Sequence, residues 1–109
     1  MFGWRIARVE GNSMVPTLVD GDYVLARRKI ASLGDVVLIR HSSLGLIVKR
    51  ISSFNDETQR YMVAGDNSLS TSSEVLGPVI VDSVIGVVYW RISPRGIFSL
   101  CSRTQQPQG

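Results

Sequence analysis

A single cysteine in 109 residues rules out an intramolecular disulfide. That thiol, Cys101, has no histidine motif near it and reads as a small tolerated side chain rather than a nucleophile. The only histidine, His41, falls in His41-Ser42-Ser43-Leu44-Gly45, a hairpin loop by composition. A Ser-His pair would have to use this loop residue, with no third group to orient it. No stretch approaches the roughly 20 apolar residues that cross a bilayer. The start, Met1-Phe2-Gly3-Trp4-Arg5-Ile6, lacks a basic segment followed by a long apolar one, so no signal peptide is expected. Basic residues exceed acidic ones only by 12 to 9, and they are scattered apart from Arg27-Arg28-Lys29. That is too little clustering for a nucleic-acid stripe. No cofactor motif and no metal-ligand cluster is present, and none is expected.

What remains is a sequence of short β-branched runs between turns. Arg5 to Val9, Tyr23 to Ala26, Val36 to Arg40, Leu46 to Ile51, Arg60 to Ala64, Val79 to Asp82 and Val84 to Trp90 read as strands. Val19-Asp20-Gly21-Asp22, Ser32-Leu33-Gly34-Asp35 and Ser93-Pro94-Arg95-Gly96 read as turns. Ser52 to Thr58 is polar and reads as a loop, and Gly86 as a bulge or a point of close approach. With 44% hydrophobic residues and no convincing amphipathic helix, the expectation is one mostly β domain. It spans residues 1–103 as a coiled sheet or small barrel, and residues 104–109 form a polar, disordered tail.

One segment fits neither strand nor helix: Gly11-Asn12-Ser13-Met14-Val15-Pro16-Thr17-Leu18. Pro16 fixes its own φ and pushes Val15 towards an extended conformation, and Gly11 permits unusual angles. A constrained segment can present Ser13 as a nucleophile. It can equally be a plain turn, because Gly, Asn, Ser and Pro all favour turns. Lys49 supplies context. On the strand Leu46 to Ile51, alternation puts Lys49 on the same side as Ile47 and Ile51. An amine desolvated by such neighbours has a lowered pKa and can accept a proton from Ser13, unless it snorkels to solvent.

In order the chain reads S-M-V-P-T-L, G-D-Y-V-L, L-G-D-V-V-L, V-K-R-I, G-D-N-S and S-T-S-S-E-V-L-G-P-V. From about Val9 to Val88 this resembles the type I signal peptidase family of Ser-Lys peptidases. Within it, the short chain and compact G-D-N segment look most like the soluble peptidases that mature nickel-containing superoxide dismutase. The resemblance implies a β-rich core, Ser13 as nucleophile, Lys49 as general base and Ser70 as the hydroxyl that orients the lysine. It makes Met14, Pro16, Gly65, Asp66 and Asn67 structural residues beside the site. The oxyanion would be held by the Ser13 amide. The family's side-chain donor two residues earlier is replaced by Gly11, so the Gly11 amide is the expected second donor.

The pattern departs from the family at Ser72 and Glu74, where Asp and Arg are usual. The Arg would pair with Asp66, so Arg50 or Arg60 is expected to take its place. The implied function is removal of an N-terminal pro-segment or leader from a precursor protein, with that protein or peptide as partner and no nucleic acid. The start at Met1 without a span suggests a cytoplasmic enzyme, with membrane attachment only for a domain excised from a longer protein. Two other readings use the same residues. One is a self-cleaving repressor-type Ser-Lys domain, and the other a non-catalytic interaction module on the same fold.

Overall fold

The computed structural model describes residues 3–67 and 77–100. Among the described residues eight strands follow one another: β1 (Trp4–Arg8), β2 (Tyr23–Arg27), β3 (Val36–His41), β4 (Gly45–Asn55), β5 (Arg60–Ala64), β6 (Val79–Ile80), β7 (Val84–Ser93) and β8 (Gly96–Ser99). A 3-10 turn, Val81–Ser83, separates β6 from β7. All pairings are antiparallel, in the order β1-β2-β7-β3-β4-β5-β6, with β8 on β7. The fold is mostly β, as expected, but the sheet is open and does not close into a barrel. Its outer strands β1 and β6 are not paired to each other.

The core lies on both faces of the sheet. Val36, Val37, Leu38 and Ile39 of β3 are all buried, although alternate residues of a strand face opposite ways. Val36 and Leu38 pack with Met14, Leu18, Val24, Val48 and Val88. Val37 and Ile39 pack with Ile51, Tyr61, Val63, Val79 and Val87. The sheet therefore packs side chains on both faces of β3, and the Ser13 segment caps the first cluster through Met14 and Leu18.

Three boundaries differ from the sequence reading. β4 runs on to Asn55, because a bulge between Ile51 and Ser53 lets Ser53, Phe54 and Asn55 pair with Met62, Tyr61 and Arg60. The run Val79 to Asp82 is strand only at Val79–Ile80 before it tightens into the 3-10 turn. β7 continues to Ser93 and returns as β8, a strand the sequence reading leaves out. Gly86 is the expected close approach. A Cβ there would lie 2.9 Å from the Arg27 carbonyl oxygen.

Candidate active site

Ser13 and Lys49 line one cleft of about 440 Å³. One wall is the segment from Arg8 to Met14, and the other is Leu44 together with the first half of β4, Leu46 to Lys49. Asn67 completes the lining. Ser13 is half-buried. Among the described residues no hydrogen bond occupies its amide or its Oγ.

Lys49 is only 6% exposed. It stands between Ile47 and Ile51 and opposite Val37, all three of the second cluster. This burial pushes its pKa below the ordinary lysine value, because the ammonium is desolvated and the neutral amine is not. Lys49 thus does not reach solvent along its stem. The shift favours the neutral amine, the form that can accept a proton.

One edge of β4 lies against this pair. Ile51 turns its backbone groups to the β3 side: its N–H donates to the Asp35 carbonyl at 2.9 Å, and its carbonyl accepts from the Gly34 N–H at 2.9 Å. Alternate residues share that direction. Lys49 and Ile47 therefore point their main-chain groups to β3, and Val48 and Leu46 point theirs away from it. β5 pairs with β4 only from Arg50 onwards. Among the described residues no strand pairs with the edge of β4 at Leu46 and Val48.

The G-D-N segment is folded onto the segment that carries Ser13. The Asn67 N–H donates to the Ser13 carbonyl at 2.9 Å, and Asn67 Nδ2 donates to the Asn12 carbonyl at 2.9 Å. Gly65 makes this approach possible, since a Cβ there would sit 2.3 Å from the Ser13 carbonyl oxygen. Asp66 accepts from Arg50 Nε at 2.9 Å through Oδ1 and from Arg50 Nη2 at 2.8 Å through Oδ2. The Thr17 hydroxyl also donates to Asp66 Oδ2. Hydrogen bonds from Arg50, and then from Thr17, hold the Asp66 carboxyl below the usual carboxylate range against the opposing effect of burial. Arg50, rather than Arg60, is the partner of Asp66.

The remaining expectations fall as follows. The Gly11 amide, expected as an oxyanion donor, donates instead to Asp20 Oδ1 at 2.7 Å, so that donor is taken. Gly11 itself has φ +85° and lines the cleft. Met14 is buried at 1% exposure, and the Val15–Pro16 bond is cis. Ser70, Ser72, Glu74 and Cys101 lie outside the described residues, as does the tail at 104–109. His41 does not line the cleft; its Nδ1 accepts from the amides of Ser43 and Leu44 at 3.0 and 3.1 Å and shapes the β3–β4 turn. The sequence reading missed Thr17 and Asp20. The only available signal was a hydroxyl and a carboxylate close along the chain to Ser13, with nothing to show which groups they meet.

Among the described residues no group of three or more His, Cys, Asp and Glu could hold a metal ion. No helix among them is long and apolar enough to cross a membrane. No curated protein sequence matches the chain. A family model does: the one described as Peptidase S24-like matches residues 4–88, from the start of β1 into β7, and takes in both Ser13 and Lys49. With most of its length matched to a Ser-Lys peptidase family that includes self-cleaving repressor domains, the chain belongs to the Peptidase S24-like family.

Proposed function

We propose that the chain is a serine endopeptidase in which Ser13 Oγ attacks a peptide carbonyl and Lys49 Nζ takes its proton. Lys49 then passes the proton to the leaving amine, and water hydrolyses the Ser13 ester with the lysine as base again. The observation that carries this reading is a buried lysine, depressed in pKa by its apolar surroundings, lining the same cleft as an unengaged serine hydroxyl. The unoccupied Ser13 amide is the first oxyanion donor. Ser70 is the proposed orienting hydroxyl for Lys49, and a second oxyanion donor comes from a group other than the Gly11 amide.

The substrate is an extended peptide that adds to the edge of β4 that no strand among the described residues pairs with, making main-chain hydrogen bonds to Leu46 and Val48. The apolar lining from Val9, Met14, Ile47 and Val48 suits small apolar side chains beside the cut. The finer proposal is removal of an N-terminal pro-segment from a cytoplasmic precursor. A nickel superoxide dismutase precursor is the candidate, since its cleavage would release an amine able to bind metal. Membership of the S24-like family favours a second reading, cleavage within the same polypeptide.

The test is to incubate the purified chain alone, with that precursor, and with a signal-peptide substrate, and to map new N-termini by mass spectrometry. Cleavage of the precursor that depends on Ser13 and Lys49 supports the first reading. A first-order cut in the chain itself, independent of its concentration, supports the second. No cut in any of the three contradicts both.

A further inference from the structure

A second cleft, of about 450 Å³, opens where the β7–β8 hairpin meets the turn at residues 19–22. It shares no lining residue with the cleft of Ser13 and Lys49. Register places Arg91 between Val24 of β2 and Phe98 of β8. Its guanidinium carbon lies 5.9 Å from the centre of the Phe98 ring. Arg91 Nε donates to Asp22 Oδ2 at 2.7 Å. Asp22 is only 2% exposed, and the same oxygen accepts from the Val19 N–H at 2.9 Å. The acid is thus fixed by a turn of the backbone, and it fixes the plane of the guanidinium in its turn.

That pair uses Nε alone. Among the described residues no hydrogen bond engages Nη1 or Nη2 of Arg91, which lines the cleft with 24% of its side chain exposed. The remaining N–H donors of a rigid fork are therefore on offer there. Arg95 lines the same cleft. Its amide donates to Ser93 Oγ at 3.2 Å, and no hydrogen bond or ion pair among the described residues takes up its guanidinium. Asp22 is the one acid of the lining, so positive charge is in excess. Asp20, in the adjoining turn, does not line the cleft; its Oδ1 accepts from the Gly11 amide. Val19, Pro94 and Phe98 add apolar walls, beside which a charge-assisted hydrogen bond is stronger than in open water.

We propose that this cleft binds an oxyanion group, a carboxylate or a phosphate, gripped by Arg91 and drawn in by Arg95. Two parallel N–H groups of a guanidinium match two oxygens of either group. Asp22 holds the fork ready, so less freedom is lost when the anion arrives. The group is either a free phosphate ion or an acidic side chain of a protein docked on the β7–β8 hairpin. The site goes beyond the peptidase reading and does not depend on it, since neither Ser13 nor Lys49 takes part.

The intact chain is titrated at constant ionic strength with inorganic phosphate and, separately, with acetyl-Glu-Glu-amide. Backbone amide and arginine side-chain resonances are followed by NMR. Saturable shifts are expected at the Arg91 Nε–H and at the amides of Val19, Ser93, Arg95 and Phe98, with Leu46 and Lys49 unmoved. Saturation by phosphate alone identifies the free ion, and saturation by the peptide identifies a docked acidic segment; either supports the site. Shifts that never saturate with either probe, or that are as large at Arg28, Lys29 and Arg40, overturn it.

Arg91→Lys keeps a charge beside Asp22 but loses the fork, and should weaken binding by about tenfold or more. Arg95→Gln leaves the Asp22 pair untouched and should weaken it by about two- to fivefold. Arg40→Gln removes the same charge from an exposed position outside the cleft and should change nothing. Circular dichroism checks each fold, and Arg95→Gln keeps the test open if Arg91→Lys does not fold. Wild-type affinity in folded Arg95→Gln, or an equal loss in Arg40→Gln, overturns the proposal. Every readout is binding rather than cleavage, so an error in the dyad leaves these outcomes unchanged.

Discussion

Gly65→Ala is the substitution whose effect follows most directly from the geometry. The added methyl would lie 2.3 Å from the Ser13 carbonyl oxygen and 3.1 Å from both the Ser13 carbonyl carbon and Cβ. Ordinary contact begins near 3.4 Å, so the two segments must separate by roughly 1 Å. The atoms in the way are backbone, which cannot rotate aside. Separation stretches the Asn67 N–H to Ser13 carbonyl hydrogen bond, now 2.9 Å, beyond useful length. Leaving that part-buried pair unmade costs about 1–3 kcal/mol of stability. The displacement carries Ser13 with it, and a shift of this size predicts a fall of about 100-fold in turnover. The assay is cleavage of whichever substrate the wild-type chain cuts, with circular dichroism and a melting curve on the same sample. A folded Gly65→Ala variant with wild-type turnover would refute the claim that the G-D-N segment fixes the nucleophile.

Three further outcomes are expected. Activity should rise as pH climbs through the depressed pKa of Lys49, since the neutral amine is the proposed base. Stability should rise with it from that pKa up to the unfolded value, because the unfolded chain then holds a proton the folded chain lacks. Lys49→Met should abolish turnover and remove this pH-dependent stability, as a pH series of melting curves would show. For Asp66 the sign is opposite: its lowered pKa contributes stability that is full above the unfolded value of about 3.9 and is lost as pH falls through the folded value. The gap in melting temperature between wild type and Asp66→Asn should therefore be constant near neutrality and close in acid. His41→Ala should change turnover by less than about twofold, because it removes only turn hydrogen bonds of modest strength; a larger loss in a kinetic assay would return His41 to the chemistry.

Local signals in the sequence were enough for some features and not for others. β5 is found at Arg60–Ala64 as read, because a β-branched and aromatic run bounded by polar residues needs no distant information. Ser13 and Lys49 were singled out on local grounds, one from a constrained segment and the other from alternation between two isoleucines, and they line one cleft. The extension of β4 through Ser52 and Ser53 was not. Those polar residues join the sheet because β5 folds back on them, an effect of pairing rather than propensity. β8 is just four residues long and exists through its hairpin with β7. Whether the sheet closes depends on how all the strands stagger, which no single strand encodes. The partners around the site were hidden for the same reason: Thr17 meets Asp66 across 49 positions, and Asp20 takes the Gly11 amide only once both loops are folded.

The central claim is that Ser13 forms a covalent ester with the substrate after giving its proton to Lys49. The direct measurement is intact and peptide-level mass spectrometry on acid-quenched samples of the working enzyme. The account predicts an acyl adduct on the peptide containing Ser13, absent from Ser13→Ala and Lys49→Met. Cleavage at the wild-type rate by Ser13→Ala, with no adduct at Ser13 in the wild type, would contradict it.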